Sequence, residues 1–155
     1  MNIIRLENCN NEIFPIICKW YYQWLGQLNG ECMEEIVYTF MHSVNTTRLP
    51  QTFVALIDNI PVGMYQLAIF DDLNCRPDLY PWLINVYVDE EYRGQHVCQA
   101  MMESVRENAK KAKLTELYLY TEHVGLYEKF GWRFMEEVNT FKNGPSIQRI
   151  YKLTI

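Results

Sequence analysis

The sequence predicts an α/β (α+β) fold, a mixed sheet with helices packed on it, in the order β-α-α-β-β-β-α-β-α-β-β. Three observations predict it. Apolar residues recur at helical spacing from Ile13 to Leu28, from Met33 to Val44 and from Val97 to Ala112. Between and after these stretches, short β-rich runs are bounded by turn residues such as Asp58-Asn59-Ile60-Pro61 and Asn143-Gly144-Pro145. Third, 155 residues, 49% of them hydrophobic, suit one domain with a real core rather than a disordered chain. No repeat, low-complexity tract or linker divides the chain, so residues 1–155 are read as a single domain.

The elements follow in order. Asn2 to Glu7 reads as a first strand. Asn10 and Asn11 are helix caps, and Pro15 is tolerable only in a first turn. Ile13, Ile17, Trp20, Trp24 and Leu28 form the stripe of the first helix, whose end Gly26 and Gly30 weaken. A second helix is expected from Glu31 to Thr46, burying Met33, Ile36, Val37, Phe40, Met41 and Val44. Thr52–Asp58 and Val62–Phe70 form a hairpin, and Asp71–Tyr80 is a loop. Pro81–Val88 is the next strand. Arg93–Lys113 is a helix, its last turn holding Lys110, Lys111 and Lys113 to match the dipole. In the strand Leu114–Thr121, Leu117 and Leu119 take one face, Tyr118 and Tyr120 the other. Val124–Phe130 is a short helix stopped by Gly131. Strands Trp132–Phe141 and Ile147–Ile155 close the chain through a turn at Lys142-Asn143-Gly144-Pro145.

Composition narrows the function. A net charge of −5 disfavours bulk binding to nucleic acid or an anionic membrane and suits a cationic small molecule better. Five cysteines without a Cys-x-x-Cys spacing argue against a disulfide scaffold or zinc site and fit a reducing cytoplasm. His42, His96 and His123 are scattered, so no metal is expected. No stretch reads as a signal core or a bilayer span. The expectation is a cytoplasmic protein.

The chemistry concentrates in Leu83 to Cys98, an apolar strand that stops at Asp89, Glu90 and Glu91 and passes through Tyr92-Arg93-Gly94 into a helix. The first N–H groups of a helix have no partner within it, and the helix dipole adds positive charge there. Such a junction can hold an anion; it can also be an ordinary strand-to-helix connection.

Strand, Tyr92-Arg93-Gly94-Gln95, helix, strand, then Leu126-Tyr127-Glu128-Lys129-Phe130-Gly131-Trp132 resembles the GNAT superfamily of N-acetyltransferases. The element order is similar from end to end, and the motifs lie between Pro81 and Trp132. The resemblance implies a mixed, mostly antiparallel central sheet of about seven strands flanked by helices. It implies that Val86, Tyr87 and Val88 hold the pantetheine arm of acetyl-coenzyme A as an added strand. The cradle for the pyrophosphate would be Arg93, Gly94, Gln95, His96, Val97, Cys98 and Gln99. Where the family signature has two small residues, this chain has His96 and Cys98. A glycine there lets backbone N–H groups come close to the pyrophosphate.

By the same resemblance the Tyr127 hydroxyl protonates the departing thiolate; a lone tyrosine here could instead be a core residue. Acetyl transfer to an amine also calls for a base. Asn85 cannot take a proton at neutral pH. Glu122 is the first candidate, ahead of His123, Asp71 and Asp72, and each also reads as a solvated loop charge. Cys98 at a helix start could be a nucleophile or a small packed residue. Tyr21, Tyr22, Trp24, Tyr38, Asp71, Asp72 and Tyr80 are candidates for the acceptor site, where aromatic rings and carboxylates could hold an ammonium; the helical ones could equally be core. The function expected is acetyl transfer from acetyl-coenzyme A to a primary amine of a small molecule or peptide, by a monomer or homodimer. The alternative is a non-catalytic acyl-coenzyme A binding or sensor domain.

Overall fold

The structure is a computed structural model that describes residues 1–141 and 144–155. In order it contains β1 (Asn2–Arg5), α1 (Ile13–Tyr21), a π-helical turn over Tyr22–Gly26, α2 (Gln27–Asn29), α3 (Met33–Met41), β2 (Gln51–Ile57) and β3 (Ile60–Ala68). Then come β4 (Trp82–Val88), a 3₁₀ turn over Glu90–Tyr92, α4 (Val97–Lys111), β5 (Glu116–Thr121), a 3₁₀ turn over Tyr127–Phe130, β6 (Arg133–Thr140) and β7 (Ser146–Thr154). The seven strands form one sheet in the order β1-β2-β3-β4-β5-β7-β6. β1–β2, β5–β7 and β6–β7 are antiparallel, and β4 runs parallel to β5 with Trp82 opposite Tyr118. The expected mixed, mostly antiparallel sheet is present.

Contacts divide the chain into two compact units, Met1–Gln66 with Asn85–Met101, and Leu67–Ile84 with Met102–Ile155. In the first, Phe14, Ile17, Trp20, Ile36 and Phe40 from α1 and α3 pack with Val54, Leu56 and Met64. Asn11 caps α1, its Oδ1 accepting from the N–H groups of Ile13 and Phe14 at 3.0 and 2.9 Å. Gly26 is a correction: it lies buried inside the π turn, and a Cβ there would come within 2.6 Å of Ile36 Cδ1. The helix pair approaches closely at that point, and the chain leaves the helical stretch later, at Gly30, which is left-handed with φ +74°. The second helix is shorter than expected, because the chain turns after Met41 and Val44 bridges to Gln51. Met41 therefore ends the helix exposed, against the expectation that it is buried. Asp58 and Asn59, both at positive φ, make the predicted hairpin turn between β2 and β3.

In the second unit, Leu73, Leu79, Trp82, Tyr118 and Ile150 form a core. The helix expected from Arg93 begins at Val97, since Glu90 to His96 is spent on a 3₁₀ turn and a further turn. Its buried stripe includes Met101, Met102, Val105 and Ala109. The short helix expected over Val124–Phe130 is a 3₁₀ turn confined to Tyr127–Phe130 and stopped by Gly131 at φ +81°. The loop between β6 and β7 was expected to turn at Lys142-Asn143-Gly144-Pro145; Lys142 and Asn143 lie outside the described residues. Among the described residues no helix is long and apolar enough to cross a membrane.

Candidate functional site

β4 leads into the candidate anion site. Asp89 ends the strand, donating its N–H to Val62 O at 2.9 Å. Its carboxylate accepts from the Glu91 N–H at 3.1 Å and from Trp20 Nε1 at 3.2 Å. Asp89 is thus spent on shaping the turn. The Arg93 guanidinium curls back, its Nε donating to Val88 O at 3.2 Å and its Nη1 lying 3.3 Å from Glu90.

The next residues decide the geometry. Gly94 has φ +78° and His96 has φ +61°. His96 therefore adopts the left-handed conformation that a glycine at that position would take freely, and it is exposed. The replacement of a small residue leaves the backbone path of the turn intact. The first bond of α4 runs from Ala100 N to His96 O at 3.1 Å. The N–H groups of Val97 and Cys98 come before that bond, so the helix gives them no partner. Cys98 is half-buried, and burial pushes its thiol above the ordinary value. That favours a small packed residue over a nucleophile. Beneath this turn, Gly63 of β3 lets three elements meet: a Cβ there would lie 2.8 Å from Tyr87 O and 3.3 Å from both Met101 Sδ and Val97 Cγ1.

The acceptor-site candidates of the first unit, Tyr21, Tyr22, Trp24 and Tyr38, are all aromatic. The π turn re-aims Trp24, whose ring lies 5.5 Å from that of Tyr87, while Trp20 lies 5.4 Å from the same ring. Burial, with the charge of Asp89 adding to it, raises the Tyr87 phenol. Tyr21 sets its edge on Phe40 at 5.3 Å, Tyr22 packs on the core, and Tyr38 is exposed beside His42. The structure therefore brings Trp24 against Tyr87 of β4 and leaves Tyr38 outside that group.

In the second unit, Tyr127 opens its 3₁₀ turn and is buried, its ring 6.1 Å from Trp132 and 6.2 Å from Tyr151. Gly131 follows at φ +81°, the left-handed region that favours glycine, and Arg106 Nη2 beside it donates to Phe130 O at 2.9 Å. The Tyr151 hydroxyl donates to Glu128 Oε1 at 2.7 Å and holds that carboxyl below its usual range. Glu122 is exposed, and its Oε1 accepts from Ser146 Oγ at 2.8 Å and Gln148 Nε2 at 3.0 Å. Asp72 accepts from the Tyr120 hydroxyl, Asp71 from the Asp72 N–H, and Tyr80 is exposed. His123 is exposed, with its N–H on Thr121 Oγ1.

Sequence reasoning missed one polar group. Gln66, Thr52 and Ser43 are buried together, and Asn85, at φ +53° within β4, donates from Nδ2 to Gln66 Oε1 at 2.7 Å. Thr52 and Gln66, polar residues inside two apolar strands, were the available signal.

A seven-stranded mixed sheet with a left-handed turn feeding the start of α4 defines an α/β protein. The chain belongs to the GNAT acetyltransferase family: the family model described as Acetyltransferase (GNAT) domain matches residues 49–134. That family makes the chain an acetyl-coenzyme A-dependent acyltransferase by class. The fold is similar to a GNAT family acetyltransferase from Elizabethkingia anophelis crystallised with acetyl-CoA bound, at 16% identity, TM-score 0.66, covering 99% of this chain and 97% of that one. An aminoglycoside 6'-N-acetyltransferase complexed with coenzyme A is similar at 12% identity and TM-score 0.76, covering 99% and 97%. An aminoglycoside 6'-acetyltransferase type Ii is similar at 15% identity and TM-score 0.68, again over 99% and 97%. No curated protein matches the chain by sequence. Among the described residues no group of His, Cys, Asp or Glu is arranged to hold a metal.

Proposed function

We propose that this chain, acting as a single domain, transfers an acetyl group from acetyl-coenzyme A to a primary amine of a small molecule or peptide, by direct attack in a ternary complex. The observation that carries it is the turn at Gly94 and His96, which keeps its left-handed geometry inside the stretch matched to the acetyltransferase family. The residues fit the donor: the Val97 and Cys98 N–H groups start a helix of 15 residues and face no intrahelical partner. When bound, the donor supplies the thioester-activated acetyl group.

The backbone of Val86 and Val88 would hold the pantetheine arm, and a backbone N–H near Val88 would stabilise charge developing on the acetyl oxygen. The turn from Arg93 to Gln99 would hold the pyrophosphate. Tyr127 would give its phenolic proton to the leaving thiolate. Trp24 and Tyr21, with Asp71, Asp72 and Tyr80, are the proposed acceptor side, and the net charge of −5 favours a cationic amine. Glu122 holds Ser146 and Gln148, so its proposed role as base would require it to leave them. A cytoplasmic monomer or homodimer is the form proposed.

The second reading, a non-catalytic acyl-coenzyme A binding domain, draws on the occupied Glu122 carboxylate. Thiol release from acetyl-coenzyme A with a panel of primary amines separates the two. The transferase reading expects amine-dependent release that falls about a hundredfold or more in Tyr127→Phe. Binding of acetyl-coenzyme A without release would leave the sensor reading, and an equally active Tyr127→Phe would remove the general-acid role.

A further inference from the structure

The buried polar group of the first unit fixes which way its amides point. Thr52 Oγ1 lies 2.9 Å from Ser43 O, and Ser43 Oγ lies 2.8 Å from Phe40 O. A carbonyl only accepts, and each hydroxyl has one proton, so both hydroxyl protons are committed. Gln66 then has to present its NH₂ to both oxygens, at 2.9 Å from Ser43 Oγ and 2.8 Å from Thr52 Oγ1. Its Oε1 is left facing Asn85, 2.7 Å from Nδ2. Asn85 must therefore direct its NH₂ at Gln66 and turn its Oδ1 the other way.

That oxygen has no hydrogen-bond donor among the described residues. Ser43, Thr52 and Gln66 are all at least 95% buried, so water does not offer them alternative partners. Asn85 is half-buried, and its left-handed backbone, φ +53°, adds a second restraint on where the side chain leaves the strand. Asn85 directly precedes Val86, the first residue assigned above to the pantetheine arm.

We propose that Asn85 Oδ1 is a preset acceptor for an N–H of the bound substrates, oriented by Gln66 as a positioning residue. The inference rests on the transferase reading. An amide oxygen takes no proton at neutral pH, so Asn85 orients an N–H without deprotonating it. Two sources offer such a donor, an amide N–H of the pantetheine arm and the N–H of the attacking amine.

The test uses Asn85→Gly, because glycine adopts the positive φ freely and loses only the amide. Acetyl-coenzyme A is titrated calorimetrically, and thiol release is followed with the primary amines that wild type acetylates. If the pantetheine arm is the source, the Kd for acetyl-coenzyme A rises about tenfold or more. If the amine is the source, that Kd holds and the amine KM rises about tenfold with kcat little changed. Gln66→Leu, which frees the Asn85 amide, should shift the same constant; this variant also serves should Asn85→Gly fail to fold. Wild-type constants in Asn85→Gly and Gln66→Leu overturn the inference alone. A wild type that neither binds acetyl-coenzyme A nor releases thiol overturns the transferase reading and the inference with it.

Discussion

Gly63→Ala tests the packing between β3, β4 and α4. The added Cβ would stand 2.8 Å from the Tyr87 carbonyl oxygen, with Val97 Cγ1 and Met101 Sδ each at 3.3 Å. Side chains of α4 can yield a few tenths of an ångström, but the carbonyl belongs to β4 and moves only with the strand. Overpacking of this kind costs about 1–3 kcal/mol. Loss of unfolded-state freedom returns about 0.4–1 kcal/mol, leaving a net destabilisation of about 1–2 kcal/mol. For a chain of this size the melting temperature should fall by about 2–8 °C. Tyr87 lies between Val86 and Val88, so the Kd for acetyl-coenzyme A should rise in the same variant. Calorimetry reads both quantities. A variant that melts within a degree of wild type and binds acetyl-coenzyme A equally well would refute the close approach of β3, β4 and α4.

Three further outcomes follow from particular contacts. Asn11→Ala removes the acceptor for the Ile13 and Phe14 N–H groups and should cost about 1 kcal/mol, read as a lower urea midpoint with an unchanged slope. The Tyr151–Glu128 bond lowers the Glu128 carboxyl, so its contribution is complete above the unfolded value of about 4.3 and is lost as pH falls through the lowered folded value. The melting difference between wild type and Tyr151→Phe should therefore be constant from neutral pH to about 5 and narrow below that. Burial pushes the Cys18 thiol up to about 11, with the neighbouring Cys9 adding to it, whereas Cys75 is exposed. A thiol reagent at neutral pH should modify Cys75 at once and Cys18 only in denaturant, with mass spectrometry locating the label.

The fold was legible because its signals are local and periodic. Asp58 and Asn59 mark the hairpin, Gly131 stops the turn after Tyr127, and apolar spacing marks three helical stretches. Element ends were less legible, because they depend on contacts distant in sequence. Gly26 reads as a helix breaker until Ile36 is seen against it, and Met41 reads as core until the chain turns back at Val44 to meet Gln51. The turn between β4 and α4 was visible in Tyr92-Arg93-Gly94 and the helix behind it. Two things hid from the sequence. A histidine at position 96 suggests an obstruction, and only the backbone shows it at φ +61° and exposed. The Asn85–Gln66 bond joins residues 19 apart, and no spacing rule pairs an asparagine in one strand with a glutamine in another.

Transfer of acetyl from acetyl-coenzyme A to an amine changes the mass of the amine. It is tested most directly by incubating the chain with acetyl-coenzyme A and a panel of primary amines and weighing the products by mass spectrometry. The expected product is an amine heavier by one acetyl group, formed together with free coenzyme A and suppressed in Tyr127→Phe. Coenzyme A binding with no acetylated amine, or acetylation undiminished in Tyr127→Phe, would contradict it.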